Sequence, residues 1–105
     1  MRLQDYKPNF YGFLIDNQLV GVTSFVRTAL DEYRLRGTCV LENFRGQKIA
    51  NHLIRHCLNQ SQPQSNVWTL SRKENTLFYK KFGFEEKKEV TNFEFGPHMI
   101  MSVTV

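Results

Sequence analysis

The feature that most constrains the fold is a change of hydrophobic period in the middle of the chain. Residues 33–42 alternate between apolar and polar side chains, which is typical of a strand with one buried face. Residues 45–59 follow a helical period instead. Their apolar side chains recur at i, i+1, i+4, i+5, i+8 and i+9, and together they form one stripe along a helix. After a polar loop, the apolar residues 67–71 predict another strand. This order predicts a right-handed crossover between two parallel or splayed strands.

A hairpin is predicted before this unit. Residues 10–15 and 19–27 are rich in aromatic and β-branched side chains, and a turn signal at residues 16–18 joins them. Both faces of residues 19–27 are largely apolar, which favours a strand covered on both sides.

The end of the chain predicts a second helix and two closing strands. Residues 74–82 form the helix, which ends at a left-handed cap at Gly83. Residues 84–95 and 99–105 form the strands. Residues 1–105 therefore predict one mixed α/β domain, ordered strand, strand, strand, helix, strand, helix, strand, strand.

The composition excludes several classes of protein. Of 105 residues, 41% are hydrophobic and 23% are charged, a globular mixture that is neither disordered nor fibrous. No apolar run approaches the roughly 18 residues of a membrane span. The first six residues also lack the apolar stretch of a signal peptide, so we expect a cytoplasmic protein with no membrane partner. The net charge of +4 suits an anionic ligand.

The junction between the alternating strand and the first helix is a candidate anion site. The start of a helix carries unpaired backbone N–H groups and partial positive charge, which together attract phosphate groups. Gly46 allows close approach to the backbone, and Arg45 and Lys48 add formal charge. From this segment alone, a solvated helix start with Arg45, Gln47 and Lys48 in water explains the same residues.

Two segments resemble signatures of the GNAT N-acetyltransferases. The junction is similar to the family's acetyl-CoA signature, which runs Arg or Gln, two residues, Gly, one residue, and Gly or Ala. Arg45 fills its first position and Ala50 its last, while Lys48 stands where the family usually has Gly. The second segment, residues 77–84, resembles the family's later motif, with Tyr79 four residues before a Gly-Phe pair.

The resemblance implies a GNAT-like fold, in which a mostly antiparallel sheet is splayed at the cofactor site and flanked by helices. It implies transfer of an acetyl group from acetyl-CoA to a primary amine of a small molecule or peptide, by direct attack of the amine. The alternative is a catalytically silent GNAT-fold module that binds acyl-CoA. The cofactor-binding residues that the resemblance implies are Cys39, Val40, Arg45, Gly46, Gln47, Lys48, Ile49, Ala50 and Asn75.

Tyr79 is the implied proton donor to the departing thiolate. With Leu77 and Phe78 as the expected core contacts of its helix, Tyr79 lies off the apolar stripe, toward the gap between the splayed strands. The alternative role is a core tyrosine whose hydroxyl is satisfied internally. Asn75 shares a helix face with Tyr79, or else caps the helix. No residue stands out as the base, and the candidates are Asp31, Glu32, Glu42, His98 and a chain of waters.

Three further patterns are weaker. His52 and His56 have metal-ligand spacing, but no third ligand is evident and we expect no metal. Cys39 and Cys57 lie in apolar patterns and are expected to be buried thiols. Two arginines, Arg34 and Arg36, lie on one strand face without an RNA-binding aromatic motif, so no nucleic-acid partner is expected. A homodimer is left open, and the pair of helices that the family usually places between its first two strands is replaced by a tight turn.

Overall fold

The computed structural model describes residues 9–91 and 96–105, which form a six-stranded sheet with two helices. The strands are β1 (Asn9–Ile15), β2 (Gln18–Ala29), β3 (Glu32–Val40), β4 (Asn66–Arg72), β5 (Glu85–Val90) and β6 (His98–Thr104). The helices are α1 (Ile49–Gln60) and α2 (Thr76–Lys80). The strand order is β1-β2-β3-β4-β6-β5, with β3 and β4 parallel and the other neighbours antiparallel. The predicted element order and mixed architecture are confirmed, while part of the predicted strand at 84–95 lies outside the described residues.

A two-residue turn joins β1 to β2. Asp16 and Asn17 both have positive φ, at 49° and 65°. This conformation matches the right-handed twist of the two strands, and aspartate and asparagine tolerate it better than most residues. The predicted hairpin is therefore confirmed, and its turn leaves no room for helices between these strands.

Both helices pack on the same face of the sheet. Ile54 and Cys57 of α1 and Phe78 of α2 contact one core with buried residues of β3 and β6, such as Leu35 and Met101. The prediction that residues 19–27 are covered on both sides is wrong. No described helix covers the other face, and the side chains of β2 on that face are only half-buried: Val22, Ser24 and Val26.

A bulge interrupts β3. Val22 pairs with Cys39 and Ser24 pairs with Arg36. Between these two pairs, β3 therefore contains one residue more than β2. Gly37 takes up the extra residue with φ of 58°, a left-handed conformation that glycine adopts without a steric penalty.

The bulge reverses the alternation of side chains after it. Thr38 points to the helix-covered face, where its Oγ1 lies 2.8 Å from the Oγ1 of buried Thr23. Val40 contacts the core beneath α1 on the same face. Cys39 therefore points the other way and is exposed, so the prediction that it is buried is wrong. Cys57 is buried as predicted, and burial raises the pKa of its thiol to about 12.

The parallel strands β3 and β4 separate part-way along their length. Their pairing ends where Leu35 faces Thr69, although β3 continues to Val40 and β4 to Arg72. The two strands therefore form a fork that opens toward their carboxyl ends. The predicted splay of the sheet is confirmed.

Candidate functional site

The loop between β3 and α1 forms one wall of the site. The helix predicted from residue 45 begins only at Ile49, after a 3₁₀ turn at Glu42–Phe44 and an irregular loop. Arg45 is extended and Gly46 has φ of 86°, and neither conformation continues a helix. Lys48 has φ of 61° and ψ of 24° at the N-cap position. Two residues, Gly46 and Lys48, therefore have positive φ before the helix starts.

The first turn of α1 is not capped. Lys48 makes no side-chain hydrogen bond to the helix, and the first turn contains no acidic residue. The first helical hydrogen bond runs from the N–H of His52 to the carbonyl of Lys48. The preceding amides have no partner within the helix, and the helix dipole adds partial positive charge there. This end of α1 is suited to an anion.

A pocket of about 300 Å³ lies against this helix end. Phe78 of α2 and Lys81 line its opposite wall. The structure brings six of the predicted cofactor residues to it: Val40, Arg45, Gly46, Lys48, Ile49 and Ala50. Gln47, Cys39 and Asn75 do not line it, and Asn75 occupies the N-cap position of α2 without making a side-chain cap.

The pocket is electropositive. Its lining contains three basic residues, Arg45, Lys48 and Lys81, and no carboxylate among the described residues. Arg45 donates from Nε to the carbonyl of Val40 at 3.3 Å, which ties its side chain to the end of β3. Lys81 was not among the predicted site residues. The signal that could have found it is its place two residues after Tyr79 in the second motif.

Packing fixes the ring of Tyr79. It meets Phe78 and Phe84 edge to face, with centroids 5.3 and 5.6 Å apart. Gly83 ends this segment with φ of 92°, which confirms the predicted cap. The helix itself is shorter than predicted, and Leu77 is 72% exposed instead of in the core.

The hydroxyl of Tyr79 lies at the base of the fork. Burial raises its pKa above the usual tyrosine value, and a hydrogen bond with the Thr69 side chain offsets only part of that rise. Thr69 donates from Oγ1 to the carbonyl of Leu35 at 3.0 Å, across the last pair of the two strands. The phenol therefore stays protonated through the neutral pH range, beside Thr69 where the strands part.

Replacing Thr69 with Val is expected to destabilise the fold by about 1–3 kcal/mol, because the buried carbonyl of Leu35 loses its donor while the volume is retained. Guanidinium denaturation measures the change. The matched control is Thr76→Val, which removes an exposed hydroxyl that donates to the carbonyl of Lys73 at 3.2 Å. That change should stay within about 0.5 kcal/mol. Equal effects of the two substitutions would contradict a bridging role for Thr69.

The two histidines of α1 pack against aromatic rings. His52 stacks on Phe13 with centroids 5.6 Å apart, and His56 meets Tyr11 edge to face at 4.6 Å. Within residues 9–91 and 96–105, no group of His, Cys and carboxylate side chains is arranged to hold a metal ion. Neither described helix has the length and apolarity to cross a membrane.

Comparison with known proteins identifies the family. Residues 7–86 match the family model described as an acetyltransferase (GNAT) domain. The chain belongs to the GNAT acetyltransferase family. This GNAT chain is also 33% identical over 104 residues to the uncharacterized N-acetyltransferase YitI of Bacillus subtilis, covering 90% of the chain and 69% of that protein. The resemblance drawn from the two sequence motifs is confirmed.

Solved structures share the fold at low sequence identity. The ribosomal-protein-S18-alanine N-acetyltransferase of Escherichia coli superimposes with a TM-score of 0.83 at 18% identity, over 97% of the GNAT chain and 72% of its own. Naa50 of Arabidopsis thaliana, in complex with the bisubstrate analogue CoA-Ac-MVNAL, gives 0.75 at 21% identity, over 86% and 68%. Both confirm the GNAT fold.

Proposed function

We propose that the chain transfers an acetyl group from acetyl-CoA to a primary amine of a small molecule or peptide, by direct attack of the amine on the thioester. The observation that carries this proposal is the fork between β3 and β4, with the protonated hydroxyl of Tyr79 at its base. The electropositive pocket at the start of α1 also supports the proposal, because it suits the phosphate groups of acetyl-CoA. The GNAT structure solved with a CoA-containing bisubstrate analogue has the same fold.

The residues present fit coenzyme A. The uncapped amides at Ile49 and Ala50, together with Lys48 and Lys81, suit the two negative charges of a pyrophosphate. Beyond Leu35 and Thr69, the inner edges of β3 and β4 no longer pair with each other. Such free strand edges suit the amides of an extended arm, which can add to a sheet like another strand.

Acetyl-CoA supplies the acetyl group as an activated thioester. The chain's own groups donate a proton and stabilise negative charge during the transfer. Tyr79 keeps its proton because burial raises its pKa, and it donates that proton to the departing thiolate. Backbone N–H groups at the fork stabilise negative charge that develops on the carbonyl oxygen. The attacking amine must lose a proton, since alkylamines are charged near neutral pH.

The candidate bases lie near opposite ends of the fork. Asp31 and Glu32 lie at the start of β3, at the closed end of the fork, and Glu32 accepts a hydrogen bond from Thr28. Glu42 follows β3 at the open end, and His98 pairs with the last residue of β4. We therefore propose Glu42 and His98 ahead of the other two.

The replacement of Lys48 tests both its charge and its backbone conformation. Lys48→Ala is expected to weaken CoA binding up to about fivefold and to reduce its salt dependence, because an exposed cation contributes up to about 1 kcal/mol. Lys48→Gly should weaken binding equally but be more stable than the Ala variant by about 1 kcal/mol, since φ of 61° strains any residue with a Cβ. Calorimetric titration at two salt concentrations and chemical denaturation measure these effects. Unchanged affinity in both variants would place the Lys48 side chain away from the ligand.

Two measurements separate an enzyme from a silent acyl-CoA-binding module. Acetyl-CoA should raise the melting temperature in either case, because it binds the native state. Only an enzyme also releases free CoA thiol when a competent amine is added. Stabilisation without amine-dependent release across a broad amine panel would favour the silent module. The absence of any stabilisation by acetyl-CoA would overturn both.

A further inference from the structure

Two arginines and a tryptophan lie together on the sheet face that the helices leave open. Arg34 of β3 pairs in register with Trp68 of β4, immediately before the last pair of the fork, Leu35 with Thr69. Arg36 lies on the same face as Arg34, two residues nearer the bulge. This group therefore sits beside the base of the fork, on the face opposite to the core.

Two hydrogen-bond donors of this group have no acceptor in the part of the chain that the structure describes. The Arg34 guanidinium lies over the Trp68 ring, with Cζ 4.7 Å from the ring centroid. Nε of Arg34 and Nε1 of Trp68 are both buried and have no hydrogen-bond partner among residues 9–91 and 96–105. Buried donors are normally paired, so two adjacent unpaired ones point to an acceptor that the described chain does not supply.

The group also carries uncompensated positive charge. In the part of the chain that the structure describes, neither Arg34 nor Arg36 forms an ion pair. Burial, followed by the charge of Arg36, lowers the pKa of Arg34. Arg34 is half-buried and Arg36 is exposed, which leaves both within reach of a ligand. An anion placed between them would relieve the repulsion and satisfy the donors.

The position of the group relative to Tyr79 suggests that the anion belongs to the acceptor. Tyr79 approaches the base of the fork from the helix-covered face, where the buried side chains of Val67, Phe84 and Met101 fill the space. An acceptor amine therefore has to reach the fork from the other face, past Arg34 and Trp68. A negatively charged group on the same acceptor molecule would then lie against Arg34 and Arg36.

We propose that Arg34, Arg36 and Trp68 form an acceptor subsite that selects primary amines carrying a carboxylate. A guanidinium matches a carboxylate with two parallel hydrogen bonds, which an isolated ammonium cannot do. The indole N–H adds a third donor, and its ring offers an apolar surface to the stem that joins the amine to the carboxylate. This inference rests on the proposed acetyl transfer.

The test compares matched acceptors. Each ω-amino acid of two to six carbons is assayed beside the alkylamine of equal chain length, by release of CoA thiol from acetyl-CoA. We expect kcat/KM for the best amino acid to exceed that of its alkylamine by about 10- to 100-fold, the usual value of one charge-assisted pair. Turnover of both series without this preference would overturn the inference alone. No turnover with any amine would overturn the proposed function, and the inference with it.

The variants assign the preference to this group. Arg34→Gln and Arg36→Gln are each expected to lower the selectivity ratio about tenfold, and Arg34→Lys should recover only part of it because the paired geometry is lost. The matched control is Arg55→Gln, which removes an arginine that lies over the ring of Phe82 at 5.1 Å, on α1. Its ratio should equal that of the parent protein. A thermal shift with acetyl-CoA verifies that each variant is folded, and a ratio that survives in both arginine variants would contradict the proposal.

Discussion

Replacing Tyr79 with Phe is expected to lower kcat by about 10²- to 10⁴-fold, the usual range for a positioned proton donor, and to leave acetyl-CoA affinity within a few-fold. The phenylalanine ring keeps the edge-to-face contacts with Phe78 and Phe84. Only the hydroxyl at Thr69 is lost. Thiols have pKa values near 8.5, so a thiolate departs unaided at a reduced rate and the variant should not be wholly inactive.

The dependence of this reaction on pH supplies a second readout. The protonated form of Tyr79 is the active one, and burial raises its pKa above the usual tyrosine value. The contribution of the donor is therefore complete at neutral pH and is lost as the pH rises through that elevated pKa. In Tyr79→Phe this alkaline loss of kcat should disappear, and the rest of the profile should keep its shape.

Tyr33→Phe is the matched control for the loss of a partly buried hydroxyl. Tyr33 lies near the start of β3, where its ring stacks on Phe25 and its hydroxyl accepts a hydrogen bond from the N–H of Gln62. Its kcat should equal that of the parent protein, measured as steady-state release of CoA. Equal loss of binding and turnover in Tyr79→Phe would make Tyr79 a structural residue. Full activity would assign proton delivery to water.

The sequence predicted the elements well because their hydrophobic periods are strong. The alternation of residues 33–42 and the stripe in residues 45–59 both follow from burial of one face, and both elements were found. The bulge at Gly37 was missed because the alternation continues through it in the sequence. A lone glycine in a strand is compatible with either register, and pairing with β2 decides between them. Cys39 was therefore assigned to the wrong face.

Among the residues that line the pocket, the sequence analysis named mainly those that are adjacent in the sequence. Between Arg45 and Ala50, every residue except Gln47 lines the pocket, because these residues are consecutive and fold together. Lys81 reaches the pocket from another element, and the hydrogen bond between Thr69 and Leu35 crosses two strands. Such contacts depend on how elements pack, which hydrophobic periodicity does not specify. The left-handed conformation of Lys48 was missed because of its local propensity. Lysine is a good helix former, so its propensity favours a right-handed helical conformation at this position.

Replacing Ala50 with Glu is expected to weaken CoA binding by about 10- to 100-fold or more and to leave the fold intact. Ala50 is the second residue of α1, is half-buried and lines the pocket. A carboxylate there would accept hydrogen bonds from the same free amides that we assign to the pyrophosphate, and it would repel the ligand's charge. Losing one or two charge-assisted hydrogen bonds accounts for the change in affinity.

The effect of this substitution on stability should have the opposite sign. An acidic residue in the first turn of a helix stabilises it by about 0.3–1 kcal/mol, and α1 has none in that turn. Ala50→Glu is therefore expected to melt at an equal or higher temperature than the parent protein without ligand, and to gain far less from added CoA. A variant that lost both stability and affinity would instead indicate a disturbed helix.

The control for the added charge is Gln47→Glu. Gln47 is exposed, lies three residues before Ala50 and does not line the pocket, so its carboxylate should lower CoA affinity only a few-fold. Pantetheine, which lacks the pyrophosphate, is the control ligand, and as a competitor of acetyl-CoA it should bind both variants as it binds the parent protein. Calorimetric titration with CoA gives the comparison between the two positions. Parent-like CoA affinity in folded Ala50→Glu would remove the pyrophosphate from this end of α1, because no bound phosphate could tolerate a carboxylate against the same amides.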